Sequence, residues 1–529
     1  MTTQLSAVDY WVLVIYLAAT VALGLWIGSR LRTGRDFFLG GRALPWWAIG
    51  MSLVATDIGG TDIIGVGGMS YRYGMAVANF EWIGCVPAMI VGAFVFIPIF
   101  WRSGVYTIPE FMERRFNAGV RVALASCWLV FMACNLGIML LASARMLTAL
   151  FGWDSTLCIV ITALLAGGYT FAGGLSAVVY TDMIQCAVMI GGCLLVLVLG
   201  LVEVGGVSQL RGRVAQLERE QGRVEVDGST DARPEHLRLV LPADTRSPFP
   251  WPGILFGLAL ILSPAYWIGN QAIVQRSLGA KTEFQAKAAY VWGAVLKNLI
   301  PVIIAVPGLI AFALYPRLED PDQAFPVLVA RLLPSGIRAV FLAAFIAALM
   351  SSMDSYLNSA STIATHDFYV RFVAPRADDR KLLVVGRVIT LALVVWAIAF
   401  ALYLAGTSKQ IYTVFQTLMA FFQGPAFAVI LAGLLWRRAT GKGALAGFLT
   451  GVATAVSLYC LNHPAISSAL GWTRLFQIEE PFLYFSIWAF LATAGVLACV
   501  SWLTTIEPEE KLALVVSWRG RINRRTDSS

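Results

Sequence analysis

Hydrophobic residues run along this chain in long blocks separated by short polar stretches, with no alternation. Runs of about 20 residues with few charges, the length that crosses hydrocarbon as a helix, recur thirteen times, at 8–28, 46–66, 73–100, 119–149, 156–172, 178–203, 251–272, 289–315, 337–362, 381–405, 409–436, 441–460 and 482–505. Barrel strands would be half as long and would alternate. Each block therefore predicts a helix, and the fold class is an all-α integral membrane protein with about 13 transmembrane helices. The first block lacks a basic flank before it and a small-residue cleavage site after it, so it reads as a retained span and not a leader.

Two blocks are interrupted near mid-depth by glycine or proline beside polar residues. One reads Ala55-Thr56-Asp57-Ile58-Gly59-Gly60-Thr61-Asp62, and the other, five blocks later, reads Leu262-Ser263-Pro264-Ala265-Tyr266. Interrupted helices at equivalent places in two runs of five point to an inverted repeat, because an odd number of spans must turn its second copy over. The bland alternative is close helix packing at the glycines and a tolerated kink at Pro264. The predicted organisation is a single transmembrane domain over 1–529: an extra N-terminal helix at 8–28, a first repeat at 46–203, an external loop at 204–249, a second repeat at 251–436, two extra helices at 441–505 and a basic tail at 506–529.

Composition agrees, since 58% of the residues are apolar and 13% charged, a balance no water-soluble fold of this size could hide. The net charge of +8 could suggest nucleic acid, but its distribution excludes that. Arg30, Arg32, Arg35 and Arg42 follow the first block, Arg102, Arg114 and Arg115 the third, Arg276, Lys281 and Lys287 the seventh, Arg371, Arg376, Arg380 and Lys381 the ninth. Arg437, Arg438 and Lys442 follow the eleventh, and Arg519, Arg521, Arg524 and Arg525 lie near the end. Basic loops on alternate sides place the N-terminus outside and the C-terminus in the cytoplasm of an inner or plasma membrane. The eight cysteines lie in or beside apolar blocks without metal-binding spacing, which predicts packing residues. The loop at 204–249 mixes both signs of charge without an apolar stripe and predicts no separate domain.

Ionisable groups at mid-membrane cost a few kcal/mol each, so each needs a partner or a task. They are Asp57, Asp62, Glu81, Lys297, Asp354 and, nearer the cytoplasm, Asp182. A break after Ile58 frees carbonyls at the partially negative end of a half-helix. Counting about 1.5 Å per residue, Ala55 lies roughly 14 Å and Ser351 roughly 16 Å from the cytoplasmic ends of their spans. The two can share one layer, where hard carbonyl and hydroxyl oxygens suit a sodium ion. For Ser351 and Ser352 taken alone, bonding back to the preceding turn is the ordinary expectation. A mutual Glu81–Lys297 ion pair could merely order helices. Arg145 is expected to snorkel, and His236, His366 and His463 look idle.

Four stretches in order, Gly40-Gly41-Arg42-Ala43-Leu44-Pro45-Trp46-Trp47, Tyr106-Thr107-Ile108-Pro109-Glu110-Phe111, Gly173-Gly174-Leu175-Ser176-Ala177-Val178-Val179-Tyr180-Thr181-Asp182 and Asn358-Ser359-Ala360-Ser361-Thr362-Ile363, resemble the sodium:solute symporters, most closely the sodium/sugar branch. The resemblance spans about residues 8 to 505. It implies a core of the LeuT type with an inverted five-helix repeat and Na+ as transported coupling ion, one or two per cycle. It also implies a sodium site of Ala55, Ile58, Ala348, Ser351 and Ser352, and a candidate second cation site at Asp182, Asp354 and Ser355. Relatives carry Thr, Ser or Ala at position 354, so Asp354 could strengthen that site or titrate.

The implied solute pocket comprises Asp57, Asp62, Glu81, Ser263, Tyr266 and Lys297, with Gln416 or Thr417 as the gating residue. Asp62 stands where sugar carriers have Gln or His, Ser263 where they have Asn, and Asp57 where sugar members have Asn but the proline and sialic-acid branches have Asp. The expected function is sodium-coupled import of a small polar solute, a sugar or polyol leading, with an amino acid or organic acid carrier, proton coupling, or a transporter-like sensor as alternatives. No enzyme motif such as HExxH or GxSxG is present, and no obligatory protein partner is evident. A passive channel would not need two broken helices.

Overall fold

The computed structural model describes residues 7–30, 33–221, 234–334, 336–406, 411–463, 466–468, 471, 475–476, 478 and 481–515. The basic residues near the end of the chain, and Arg32, lie outside them. Among the described residues there are helices and isolated bridges but no strand. Ten helices are long and apolar enough to cross a membrane, and twelve spans result if each of two bent pairs counts once. The remaining block, 156–172, corresponds to a shorter apolar helix, Ser155–Gly168.

In chain order the principal elements are α1 (Ala7–Gly28), α2 (Trp46–Asp57) and α3 (Gly60–Tyr73), then α4 (Phe80–Ser103), α5 (Ala118–Phe151), α6 (Ser155–Val204) and α7 (Val207–Glu220). They continue with α8 (Gly253–Gly269), α9 (Gln271–Leu278), α10 (Glu283–Leu314), α11 (Ile337–Val373) and α12 (Asp379–Ala405), and end with α13 (Ile411–Leu435), α14 (Gly441–Asn462) and α15 (Phe482–Leu503).

The helix α11 has the lowest mean hydropathy of the ten, 1.6, and is the most buried, whereas α12, at 2.5, is among the least. Polar residues on a membrane helix need protein cover, so the serine-rich α11 lies in the middle, packed on α6, α5 and α2.

Both interrupted spans are bent, α2–α3 by 54° and α8–α9 by 50°, but the second bends elsewhere than the sequence suggests. Ser263-Pro264 lies within continuous helix, and the chain turns at Asn270 (φ −75°, ψ 119°). The residues ahead of Pro264, Gly253–Leu262, form wide π-type turns. The same arrangement precedes Pro87 (Phe80–Cys85) and Pro98 (Gly92–Phe96). A wider turn takes up the missing N–H and the ring of proline without breaking the rod. The span consequently runs on to Leu278, which carries Arg276 out of the expected loop and into the bundle.

The half-helix α3 likewise outlasts its predicted end at 66, stopping at Gly74, whose φ of +80° favours glycine. A β-carbon there would meet the His236 backbone at 2.2 Å. His236 is not idle. It is buried, stacked on Phe312 at 4.4 Å, bonded to the Tyr71 carbonyl at 3.2 Å, and held by the buried Glu218 of α7 at 2.5 Å. The loop 204–249 is thereby fastened to α3 and α10. His366 is also engaged, stacked on Tyr106 at 4.3 Å, and Arg145 does not snorkel, since it pairs with Asp322 at 2.7 Å.

Burial opposes ionisation of Glu218, but hydrogen bonds from the His236 side chain and from the His236 and Glu235 amides outweigh it and hold the carboxyl below its ordinary value of 4.5. A depressed native value means stability that is complete above the ordinary glutamate range and lost as pH falls through the native value. Thermal melts of wild type and Glu218→Gln should differ clearly at pH 7 and converge towards pH 3; a pH-independent gap would contradict this.

Candidate functional site

The site forms where α2 gives way to α3. In an unbroken helix the Gly59 amide would bond the Ala55 carbonyl, and the Asp62 amide the Ile58 carbonyl. Here Gly59 N–H donates to Asp62 Oδ2 at 3.0 Å, and Asp62 N–H turns to the Gly59 carbonyl at 3.1 Å. The rearrangement withdraws the helical partners of the two carbonyls that the sequence places at the sodium site. Across from them, Ser352 Oγ donates to the Thr56 carbonyl at 2.9 Å and to its own Ala348 carbonyl at 3.2 Å. Ser351 Oγ, fully buried, lies near Asp182 without closing a hydrogen bond. The back-bonding expected of an isolated serine pair is thus present only for Ser352, which also reaches the broken helix. An oriented, buried hydroxyl oxygen beside freed carbonyls is a donor set that suits a hard cation.

One turn along, a guanidinium dominates. Arg276 of α9 is fully buried; its Nε donates to Ser52 Oγ at 2.6 Å, and Nη2 lies 3.2 Å from Asp182 Oδ2 while also reaching Thr56 and Ser355. Ser52 Oγ donates to Asp182 Oδ2 at 2.6 Å, and Ser355 Oγ lies 3.1 Å from Asp354 Oδ1. Asp182, Asp354 and Ser355 are therefore brought together as expected, with an arginine added. Sequence reasoning missed Arg276 because a charge-free run of about 20 residues seemed to end before it. The available signal was the spacing Gln271-x3-Gln275, a polar face continuing a helix.

That face fixes α9. Gln271 bonds Tyr106 O (2.8 Å) and Ile108 N–H (3.1 Å), Gln275 bonds Phe38 O (2.6 Å), Thr362 (2.9 Å) and Ser359 (2.9 Å), and the Leu44 amide donates to Gly279 O at 3.2 Å. In the third stretch Gly174 has φ +53°, and a β-carbon would meet the Phe37 carbonyl at 2.6 Å. All four family-like stretches thus meet α9 or the glycine that follows it, the third through the pairing of Asp182 with Arg276.

On the other side of the break lies a chamber lined by Asp57, Asp62, Glu81, Ser263, Tyr266 and Gln416, with the rings of Phe80, Trp267 and Phe415. Gln416, not Thr417, stands in the described wall. Lys297 is fully buried behind it, its ammonium paired with Asp57 and 2.5 Å from Glu81 Oε2, and 5.7 Å from the centre of the Trp267 ring. The Glu81–Lys297 pair is thus part of a triad with Asp57. Tyr266 Oη is 3.3 Å from Tyr356 Oη, which also accepts from Asn270 at 3.3 Å, so the chamber's floor is tied to the hinge of α8–α9. A multi-pass helical bundle with two broken spans and a polar chamber at the break is the architecture of a membrane transporter.

A profile of the sodium:solute symporter family matches residues 37–451. The chain is 32% identical to a sodium/glucose cotransporter of Vibrio parahaemolyticus over 97% of its length and 93% of the relative's, and 33% identical to human sodium/glucose cotransporter 4 over 97% and 78%. It is 32% identical to mouse sodium/myo-inositol cotransporter 2 over 97% and 79%. Its fold resembles that of a Na+-coupled sialic acid symporter in a substrate-bound outward-open state, with TM-score 0.78 at 20% identity, covering 95% of this chain and 99% of that one. The chain belongs to the sodium:solute symporter family: it is a multi-pass membrane symporter with Na+ as coupling ion, and not an enzyme.

Removing one partner of a buried ion pair costs about 3–5 kcal/mol. Arg276→Met should therefore lower the apparent melting temperature of the purified protein strongly, and adding Asp182→Asn should recover part of the loss; additive losses would show that the two do not act as a pair.

Proposed function

We propose that this symporter imports a sugar or polyol by alternating access, with sodium held by the carbonyls of Ala55, Ile58 and Ala348 and the hydroxyls of Ser351 and Ser352. The observation that carries the sodium site is the diversion of the Gly59 and Asp62 amides from Ala55 and Ile58. These oxygens supply five ligands without a second buried charge, and the negative end of the α2 dipole adds to their attraction for a cation. A hydroxyl-rich solute is held in the chamber by Glu81, Asp57, Asp62, Ser263 and Gln416 over the Tyr266 ring, groups that bond hydroxyls beside an aromatic floor.

The reading includes thirteen spans in an inverted five-helix repeat, supported by two bent spans at matching places in successive runs of five, and the domain limits given above. The N-terminus lies outside and the C-terminus in the cytoplasm, supported by the alternation of basic loops. A second cation at Asp182, Asp354 and Ser355 would have to share Asp182 and Ser355 with the guanidinium of Arg276, which favours one sodium per cycle.

Replacing both Ser351 and Ser352 by Ala should abolish gradient-driven uptake in proteoliposomes; uptake with unchanged sodium dependence would refute the site. Glu81→Ala should remove solute binding while sodium still alters thiol or protease access, and unchanged binding would remove Glu81 from the pocket. In Asp354→Asn, an unchanged sodium Hill coefficient is expected under the one-sodium reading, whereas a fall in that coefficient would establish the second cation.

A further inference from the structure

The chamber's charges do not balance for a neutral solute. Asp57 and Glu81 share the single ammonium of Lys297, and Asp62 has no cationic partner among the described residues. The one hydrogen bond described for the Asp62 carboxylate is from the Gly59 amide at 3.0 Å, and the positive end of α3 compensates it only partially. In their ionised forms Asp57, Asp62 and Glu81 carry three negative charges against Lys297 and, when bound, one sodium ion, which leaves one negative charge over. Asp57 and Glu81 are each 13% exposed while Lys297 is fully buried, so the carboxylates, not the ammonium, present themselves to whatever enters.

The remainder of the wall has matching chemistry. Phe80, Tyr266, Trp267 and Phe415 line the same space as the carboxylates. Ring faces attract cations, and Trp267 already lies beneath the Lys297 ammonium at 5.7 Å. An excess of carboxylate among aromatic rings, with hydroxyl and amide groups at Ser263 and Gln416, is a recognition set for an organic ammonium that also carries hydroxyls.

We propose that the solute is cationic, an amino sugar or amino polyol whose protonated amine sits between Asp62 and the Asp57–Lys297–Glu81 triad. This rests on the sodium-coupled sugar or polyol reading and names the class of solute within it. The amine supplies the missing positive charge, and sodium and solute then neutralise the break from its two sides. Neutral hydroxyl solutes would leave Asp62 dehydrated without a counter-charge, a cost that falls on binding.

The test uses the full-length purified protein and pairs of solutes that differ only in an amine against a hydroxyl: D-glucosamine with D-glucose, and an amino-inositol with myo-inositol, with N-acetyl-D-glucosamine as the uncharged derivative. Affinities are measured by calorimetry in sodium and in potassium. At least one amine should bind about tenfold more tightly than its hydroxyl twin, a difference of about 1.4 kcal/mol, and N-acetylation should abolish the advantage. Asp62→Asn keeps an oxygen for the Gly59 amide and should bring the ratio close to one. Hydroxyl twins that bind as well as the amines, or no binding by either kind, would overturn the proposal, and the wild-type ratio decides the matter if the variant does not fold. Amine preference that is indifferent to sodium would uphold the charge assignment and remove the coupled-site reading. Sodium-dependent binding of the neutral twins would do the reverse.

Discussion

A helix that stops in the middle of a bilayer leaves backbone groups that lipid cannot satisfy, and the rest of this structure is arranged around that constraint. At the first break Asp62 takes the Gly59 amide and Ser352 takes the Thr56 carbonyl. At the second, Asn270 caps the Ala272 amide at 3.0 Å, and α9 is then held by Gln271 and Gln275. These side chains need cover of their own, which explains why the most polar span, α11, is the one most completely enclosed. The carbonyls left over at Ala55 and Ile58 are the residue of this satisfaction, and a cation is the partner that suits them.

Charge follows the same logic on either side of α2. Within the bundle Arg276 meets Asp182 and reaches Ser52, Thr56 and Ser355. In the chamber Lys297 serves two carboxylates and Asp62 has only a backbone amide. Satisfied buried networks rigidify a bundle, whereas a buried polar group left short of partners is costly.

Much of this was legible in the sequence. Block length gave the class, the glycine pair gave the first break, and the depth match between Ala55 and Ser351 anticipated the contact of Ser352 with the Thr56 carbonyl. The second break was misplaced because Pro264 looked disruptive, while the π-type turns that absorb it depend on i to i+5 bonding that residue types do not announce. Arg276 was assigned to a loop because a charge was taken to end a span, although a buried carboxylate such as Asp182 required a cation from somewhere. His236 and Arg145 were misjudged for a related reason: their partners, Glu218 and Asp322, lie 18 and 177 residues away, and neither separation forms a local pattern.

The coupling of ion and solute follows from the shared break. By accepting the Gly59 amide that an unbroken helix would give to Ala55, Asp62 joins the break to the chamber wall it lines. Under the proposed sodium site, a cation on the carbonyl side would stabilise the broken geometry of α2–α3, in which Asp62 lines the chamber and caps α3. Tyr266, bonded through Tyr356 to Asn270, connects the chamber floor to the second hinge. The chamber thus touches both bent spans, the places where a hinge can absorb the change as a transporter changes access.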